Sequence, residues 1–138
     1  SHLWEVLSST EFQQEAKELH DFTKRGNQIT LFTNGPDVWA RQVAVAISDN
    51  VGYRCPGSWL KPEAEAYLQF PADQKYIYID DSLKNLGTAR WLDNWNCVYY
   101  NENGPKDPRL WCPTLNSFWD LIMYINSEHG KNPSPPDT

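Results

Sequence analysis

The chain has 138 residues, which suits one domain with a core of its own, and seven Trp, seven Tyr and five Phe supply bulky side chains to fill it. A formal net charge of −6 disfavours a nucleic-acid backbone as main partner. No apolar run approaches the roughly 18 residues of a membrane span, and no charged-then-apolar leader is visible, so the expectation is a cytoplasmic protein. Its three cysteines, Cys55, Cys97 and Cys112, have no metal-ligand spacing and read as reduced thiols, with a Cys97–Cys112 bridge left open.

Residues 8 to 26 read as a helix. Ser8 and Glu11 have capping-box spacing, and Phe12, Ala16, Leu19 and Phe22 share a face. Lys24 and Arg25 suit the last turn, with Gly26 as the C′ residue. "QITLFTNG" is a short strand ending in Thr33-Asn34-Gly35, and Pro36-Asp37 opens a second helix with a broad apolar face. "VGYRCPGSW" reads as strand or loop, and Lys61-Pro62 starts a short third helix, "PEAEAYLQF".

Residues 76 to 79, Tyr-Ile-Tyr-Ile, form a strand that leads into Asp80 and Asp81. A helix over Ser82–Leu92 and a strand over 96–100 follow, then a loop over 101–114. Thr114 or Asn116 caps a last helix carrying Phe118, Leu121, Ile122 and Ile125 on one stripe. The expected organisation is one domain over residues 1–126 and a flexible tail over 127–138. Alternating strands and helices imply a parallel sheet covered on both faces, whose ligands collect at the carboxyl ends of the strands.

Three polar features occupy such positions. Thr33 offers a hydroxyl, and Asn34-Gly35 before a helix offers backbone N–H groups, a combination that favours an anion such as phosphate. Lys61 supplies a point charge for the same anion. Asp80 and Asp81 are hard oxygen ligands suited to Mg²⁺, a dication that would offset the repulsion between adjacent acids. The same residues also read as a plain turn and helix cap, a solvated surface lysine, and a helix cap with a first-turn acid.

Thr-Asn after a strand, then Lys-Pro-Glu before a short helix, then Ile-Asp-Asp-Ser after another strand resembles the haloacid dehalogenase (HAD) superfamily, over roughly residues 9 to 126. The resemblance implies a three-layer α/β/α sandwich with a mainly parallel central sheet. With only about 26 residues between Asn34 and Lys61, it would have no large cap. It further implies two catalytic groups, Thr33 holding phosphoryl oxygens and Lys61 steadying negative charge, and that Asp81, with Asp80, binds Mg²⁺.

The family's first motif, Asp-x-Asp, occurs nowhere in the chain. "LWEVL", residues 3 to 7, is the only candidate for the central strand that carries it, which would put Ser8 or Ser9 near the nucleophile's place. The expectation is a binding or regulatory module, weak or inactive in hydrolysis, that keeps parts of a phosphate and Mg²⁺ site. It would take phosphate or a phosphorylated small molecule and hold Mg²⁺ weakly. One alternative is an active Mg²⁺-dependent phosphohydrolase whose nucleophile segment is truncated or comes from another chain. Another is a protein-interaction scaffold with Trp59, Trp95 and Trp111 as contact residues.

Overall fold

The computed structural model describes residues 9–54 and 59–131. These form a mixed α/β chain of five helices and two small parallel sheets, and the chain divides after Lys61 into two compact units.

In the first unit, α1 (Thr10–Lys24) is followed by β1 (Thr30–Phe32), α2 (Asp37–Ile47) and β2 (Gly52–Arg54). The helix cap is Ser9, one residue later than the spacing of Ser8 and Glu11 suggests. Its hydroxyl accepts from the Phe12 N–H at 3.1 Å, the N3 donor that a capping side chain reaches. Ser8 itself lies outside the described residues. The expected C′ residue is Gly26, which takes φ +92°, a conformation that costs glycine little.

β1 and β2 pair in parallel, Thr30 with Gly52 through Phe32 with Arg54. Ala16 of α1, Ala44 and Ile47 of α2, and Val51 form the buried core, with Phe12, Leu19, Leu31 and Tyr53 packed against it. Small alanines on the facing helix surfaces let α1 and α2 approach closely. His20 adds a polar tie, its Nδ1 at 3.1 Å from the Ile47 carbonyl, so that nitrogen carries the proton. The buried face of α2 is narrower than its apolar content suggests: Val38 and Val45 are exposed.

In the second unit, α3 (Ala64–Tyr67) is a single turn with Glu63 at its N-cap, so the expected helix start at Lys61-Pro62 is corrected. Then come β3 (Tyr76–Asp80), α4 (Leu83–Ala89), β4 (Trp95–Tyr100), β5 (Thr114–Leu115) and α5 (Phe118–Lys131). Strand order is β3-β4-β5, all parallel, with Tyr76 opposite Trp95 and Tyr99 opposite Thr114. β5 lies in what reads as loop. Two residues carry no periodic signal, and only their pairing with Tyr99 and Tyr100 makes them a strand. Thr114 and Asn116 do not cap α5; Ser117 Oγ accepts from the Asp120 N–H at 3.0 Å. The helix then runs to Lys131, past residue 126, where the sequence suggests the tail begins.

An aromatic cluster fills the second unit. Trp95 is surrounded by Tyr67, Phe70, Tyr76 and Tyr78 with ring centroids 5.2–5.4 Å apart, three of the four contacts edge-to-face. Trp95 is therefore core, which corrects its reading as a contact residue. Two hydrogen bonds tie the α3 region to α4: Tyr67 Oη donates to the Asn85 carbonyl at 2.6 Å and Thr88 Oγ1 to the Pro62 carbonyl at 2.6 Å. Among the described residues no helix is long and apolar enough to cross a membrane.

Trp95→Ala is expected to lower unfolding free energy by about 3–5 kcal/mol, because the ring leaves a cavity that four neighbours cannot close. Ser9→Ala is expected to cost only about 1 kcal/mol, the worth of one cap. Urea denaturation of both variants checks the ranking, and equal losses would contradict it.

Candidate functional site

The expected phosphate-side residues are all in the first unit, and they meet at the carboxyl end of β1. Thr33 continues the ladder, its N–H donating to the Arg54 carbonyl at 3.2 Å. The chain then turns: the Gly35 N–H donates to Thr33 Oγ1 at 2.9 Å, which holds the hydroxyl over the turn and leaves its own proton to be given elsewhere. Space here is tight, since a Cβ on Gly35 would lie 3.2 Å from Thr33 Oγ1.

Asn34 clamps Lys61 at two points. Its Nδ2 donates to the Lys61 carbonyl at 3.0 Å, and its Oδ1 accepts from the Lys61 N–H at 2.9 Å. So anchored, Lys61 places its ammonium 2.7 Å from the Phe32 carbonyl and 4.8 Å from the centre of the Phe32 ring. The four residues named from the sequence on the phosphate side thus lie together, with two of them bonded differently from the expectation. Asn34 contributes its side chain as a latch, and the Gly35 N–H is donated to Thr33.

Asp80 and Asp81 stand in the second unit, at the end of β3, and their environments differ. Asp80 is buried. Its Oδ2 accepts from Tyr78 Oη at 2.5 Å and Asn85 Nδ2 at 3.3 Å, and its Oδ1 from the Ser82 N–H at 2.9 Å. Asp81 is exposed. Neither caps α4, because Ser82 does so by accepting from the Asn85 N–H at 3.2 Å. A buried carboxylate needs several donors, and here β3, the turn and α4 each supply one. Sequence reading missed Tyr78 and Asn85 as members of this group. Strand alternation places residues 78 and 80 on one face and would have found Tyr78.

Burial pushes the Tyr67 phenol up to about 12, against a smaller downward pull from its hydrogen bond with Tyr78. Burial, followed by the bond to Asp80, also raises Tyr78. As a metal centre, the two aspartates present the hard oxygens that Mg²⁺ prefers, but both Asp80 oxygens already accept hydrogen bonds. Among the described residues no group of three or more His, Cys, Asp or Glu is placed to hold a metal ion. The expected central strand over 3–7 lies outside the described residues, and Ser9 serves as the α1 cap.

Compared with protein-family models, curated proteins and solved structures, the chain gave no match.

Asp80→Ala is expected to cost roughly 2–4 kcal/mol, because it leaves the buried Tyr78 hydroxyl and the Ser82 N–H without their acceptor. Asp81→Ala should stay within about 0.5 kcal/mol. Adding Tyr78→Phe to Asp80→Ala should recover part of the loss, and a double-mutant cycle by denaturation measures it.

The tyrosines set an alkaline limit. Below about pH 10 the Tyr67 phenol is protonated whether the chain is folded or not. Between the ordinary value of 10.0 and about 12 only the unfolded chain ionises, so stability falls as pH rises through this window. Absorbance titration should show Tyr67 and Tyr78 ionising only together with loss of structure. Ionisation of both in a chain that stays folded would contradict this.

Proposed function

We propose that the chain is a HAD-like domain, a three-layer α/β/α sandwich with a mainly parallel sheet and no large cap, that acts as a phosphate-binding or regulatory module. One observation carries the reading. At the carboxyl end of β1, Asn34 clamps the Lys61 backbone, the Lys61 ammonium donates to the Phe32 carbonyl, and the Thr33 hydroxyl accepts from the Gly35 N–H in the turn before α2. A cation and a hydroxyl with a proton to donate, at the end of a parallel strand, make a receptor for phosphate or a phosphorylated small molecule.

In this reading Lys61 supplies charge and Thr33 the hydroxyl proton, while Asn34 and Gly35 keep the geometry. Asp80 and Asp81 would hold Mg²⁺ weakly, since Mg²⁺ favours six oxygens in octahedral array and gives up water reluctantly. Hydrolysis is slow in this proposal because no Asp-x-Asp supplies a nucleophile, so the covalent intermediate that divides the reaction into two easier steps is lost.

Calorimetric titration with inorganic phosphate and, separately, with Mg²⁺ tests the ranking. Phosphate is expected to bind more readily than Mg²⁺. Lys61→Ala should weaken phosphate by roughly 10-fold, about 1.4 kcal/mol, and leave Mg²⁺ unchanged. Micromolar Mg²⁺ affinity without phosphate binding would overturn it. Turnover of a phosphate monoester is expected to stay below about 1 s⁻¹. Faster turnover abolished by Asp81→Ala would favour an active phosphohydrolase instead.

A further inference from the structure

Two thiols in the second unit have no part in the site above. Cys97 lies within β4 and Cys112 two residues before β5; both are free and buried. The β4–β5 register pairs Tyr99 with Thr114. Cys112 precedes the strand, but its neighbour Pro113 still accepts from the Tyr99 N–H at 2.9 Å, so carrying the register two residues back sets Cys112 beside Cys97, and side chains that differ by two residues share a face. That face looks toward α4. Cys97 Sγ approaches the Leu86 carbonyl at 3.7 Å, while Cys112 lies against the Tyr99 backbone N–H and feels the charge of Arg90. Each pair member is thus directed to the same side, and Cys97 feels the charge of Cys112.

If Cys112 keeps the β4–β5 spacing of about 4.8 Å, it falls within the Cα separations of about 4.4–6.8 Å that a disulfide spans. One thiol also has a route in. A cavity of about 400 Å³ is lined by Lys106, Asp107, Leu110, Trp111, Cys112 and Thr114. Cys112 therefore lines an opening that Cys97 does not.

We propose that Cys97 and Cys112 form a redox latch, a dithiol that a small disulfide converts to an intrachain disulfide joining β4 to the segment that leads into β5. The Cys112 thiolate attacks one sulfur of the small disulfide, forming a mixed disulfide and releasing one small thiolate. The Cys97 thiolate then attacks the Cys112 sulfur, forming the intrachain bond and releasing the second small thiolate. The two protein thiols lose two electrons and two protons; the small disulfide takes up both and leaves as two thiols. Burial raises both protein thiols, Cys97 to about 11 and Cys112 less because Tyr99 N–H and Arg90 pull it back. The latch therefore stays open under mild conditions and closes slowly.

What closes is the segment 98–111. It carries the Asn101–Gly104 turn, with Asn103 at φ +58°, and much of the cavity wall. Trp111 in this segment lies 4.7 Å from the Arg90 guanidinium, which sits at the end of α4. A covalent tie at Cys112 would fix that contact and the cavity's shape.

The test uses the full chain carrying Cys55→Ser, which removes the third thiol, incubated folded with oxidised glutathione. Intact mass should show the loss of two hydrogens and no retained glutathione, and digestion should yield one peptide pair linking Cys97 to Cys112. Tm should rise by roughly 10 °C, since the link restricts the unfolded chain, and dithiothreitol should reverse it. Cys97→Ser should trap glutathione on Cys112. A stable adduct on Cys112 with Cys97 still reduced in the otherwise intact chain would overturn the proposal, as would both thiols staying unreactive until the chain unfolds. If Cys55→Ser fails to fold, the unaltered chain gives the same readings, and a link that involves Cys55 instead would overturn it.

Discussion

The buried carboxylate of Asp80 is the constraint around which the second unit is organised. An ionised carboxyl group out of water is costly unless several donors meet it. Tyr78 Oη, the Ser82 N–H and Asn85 Nδ2 do so, and each comes from a different place: the strand, the turn and the helix. Satisfying one side chain therefore sets the angle at which β3 passes into α4. The consequences spread outward. Tyr78 is held in the aromatic cluster against Trp95, and Asn85 lends its carbonyl to Tyr67, which packs on the same rings. Polar and apolar contacts here are one structure, because the same tyrosines carry both.

The first unit meets a similar demand with neutral groups. Its loops end at the carboxyl end of β1, where backbone groups past the last ladder bond need partners. Thr33 Oγ1 takes the Gly35 N–H, and Asn34 takes both backbone groups of Lys61. An amide side chain is suited to this, because it offers a donor and an acceptor side by side. The lysine is thereby fixed at its backbone as well as at its ammonium, so that a long, flexible side chain loses its freedom in advance of any ligand. Pre-ordering of this kind reduces the entropy that any later contact with the ammonium would cost.

The adjacent aspartates, so alike in sequence, divide their labour because β3 ends between them. Asp80 points inward with Tyr78, and Asp81 faces solvent. A dication is thus not needed to explain why two acids stand side by side.

Periodicity and end signals by themselves determined much of this protein. The α1 stripe of Phe12, Ala16, Leu19 and Phe22, the Gly26 stop, the Tyr-Ile-Tyr-Ile strand and the parallel pairing all follow from local spacing and alternation, which act over a few residues. The same holds for the meeting of Thr33, Asn34 and Lys61 at one strand end, since a parallel sheet collects its loops there. Tertiary structure alone decided the rest. β5 exists because Tyr99 and Tyr100 pair with it; Trp95 is core because four rings surround it; Asn34 acts through its side chain because Lys61 comes within reach across 27 residues. Ser9, not Ser8, became the cap because one hydroxyl reached the Phe12 N–H. Each of these depends on the position of a partner distant in sequence or on a choice between near-equal neighbours, and neither is written in the local pattern.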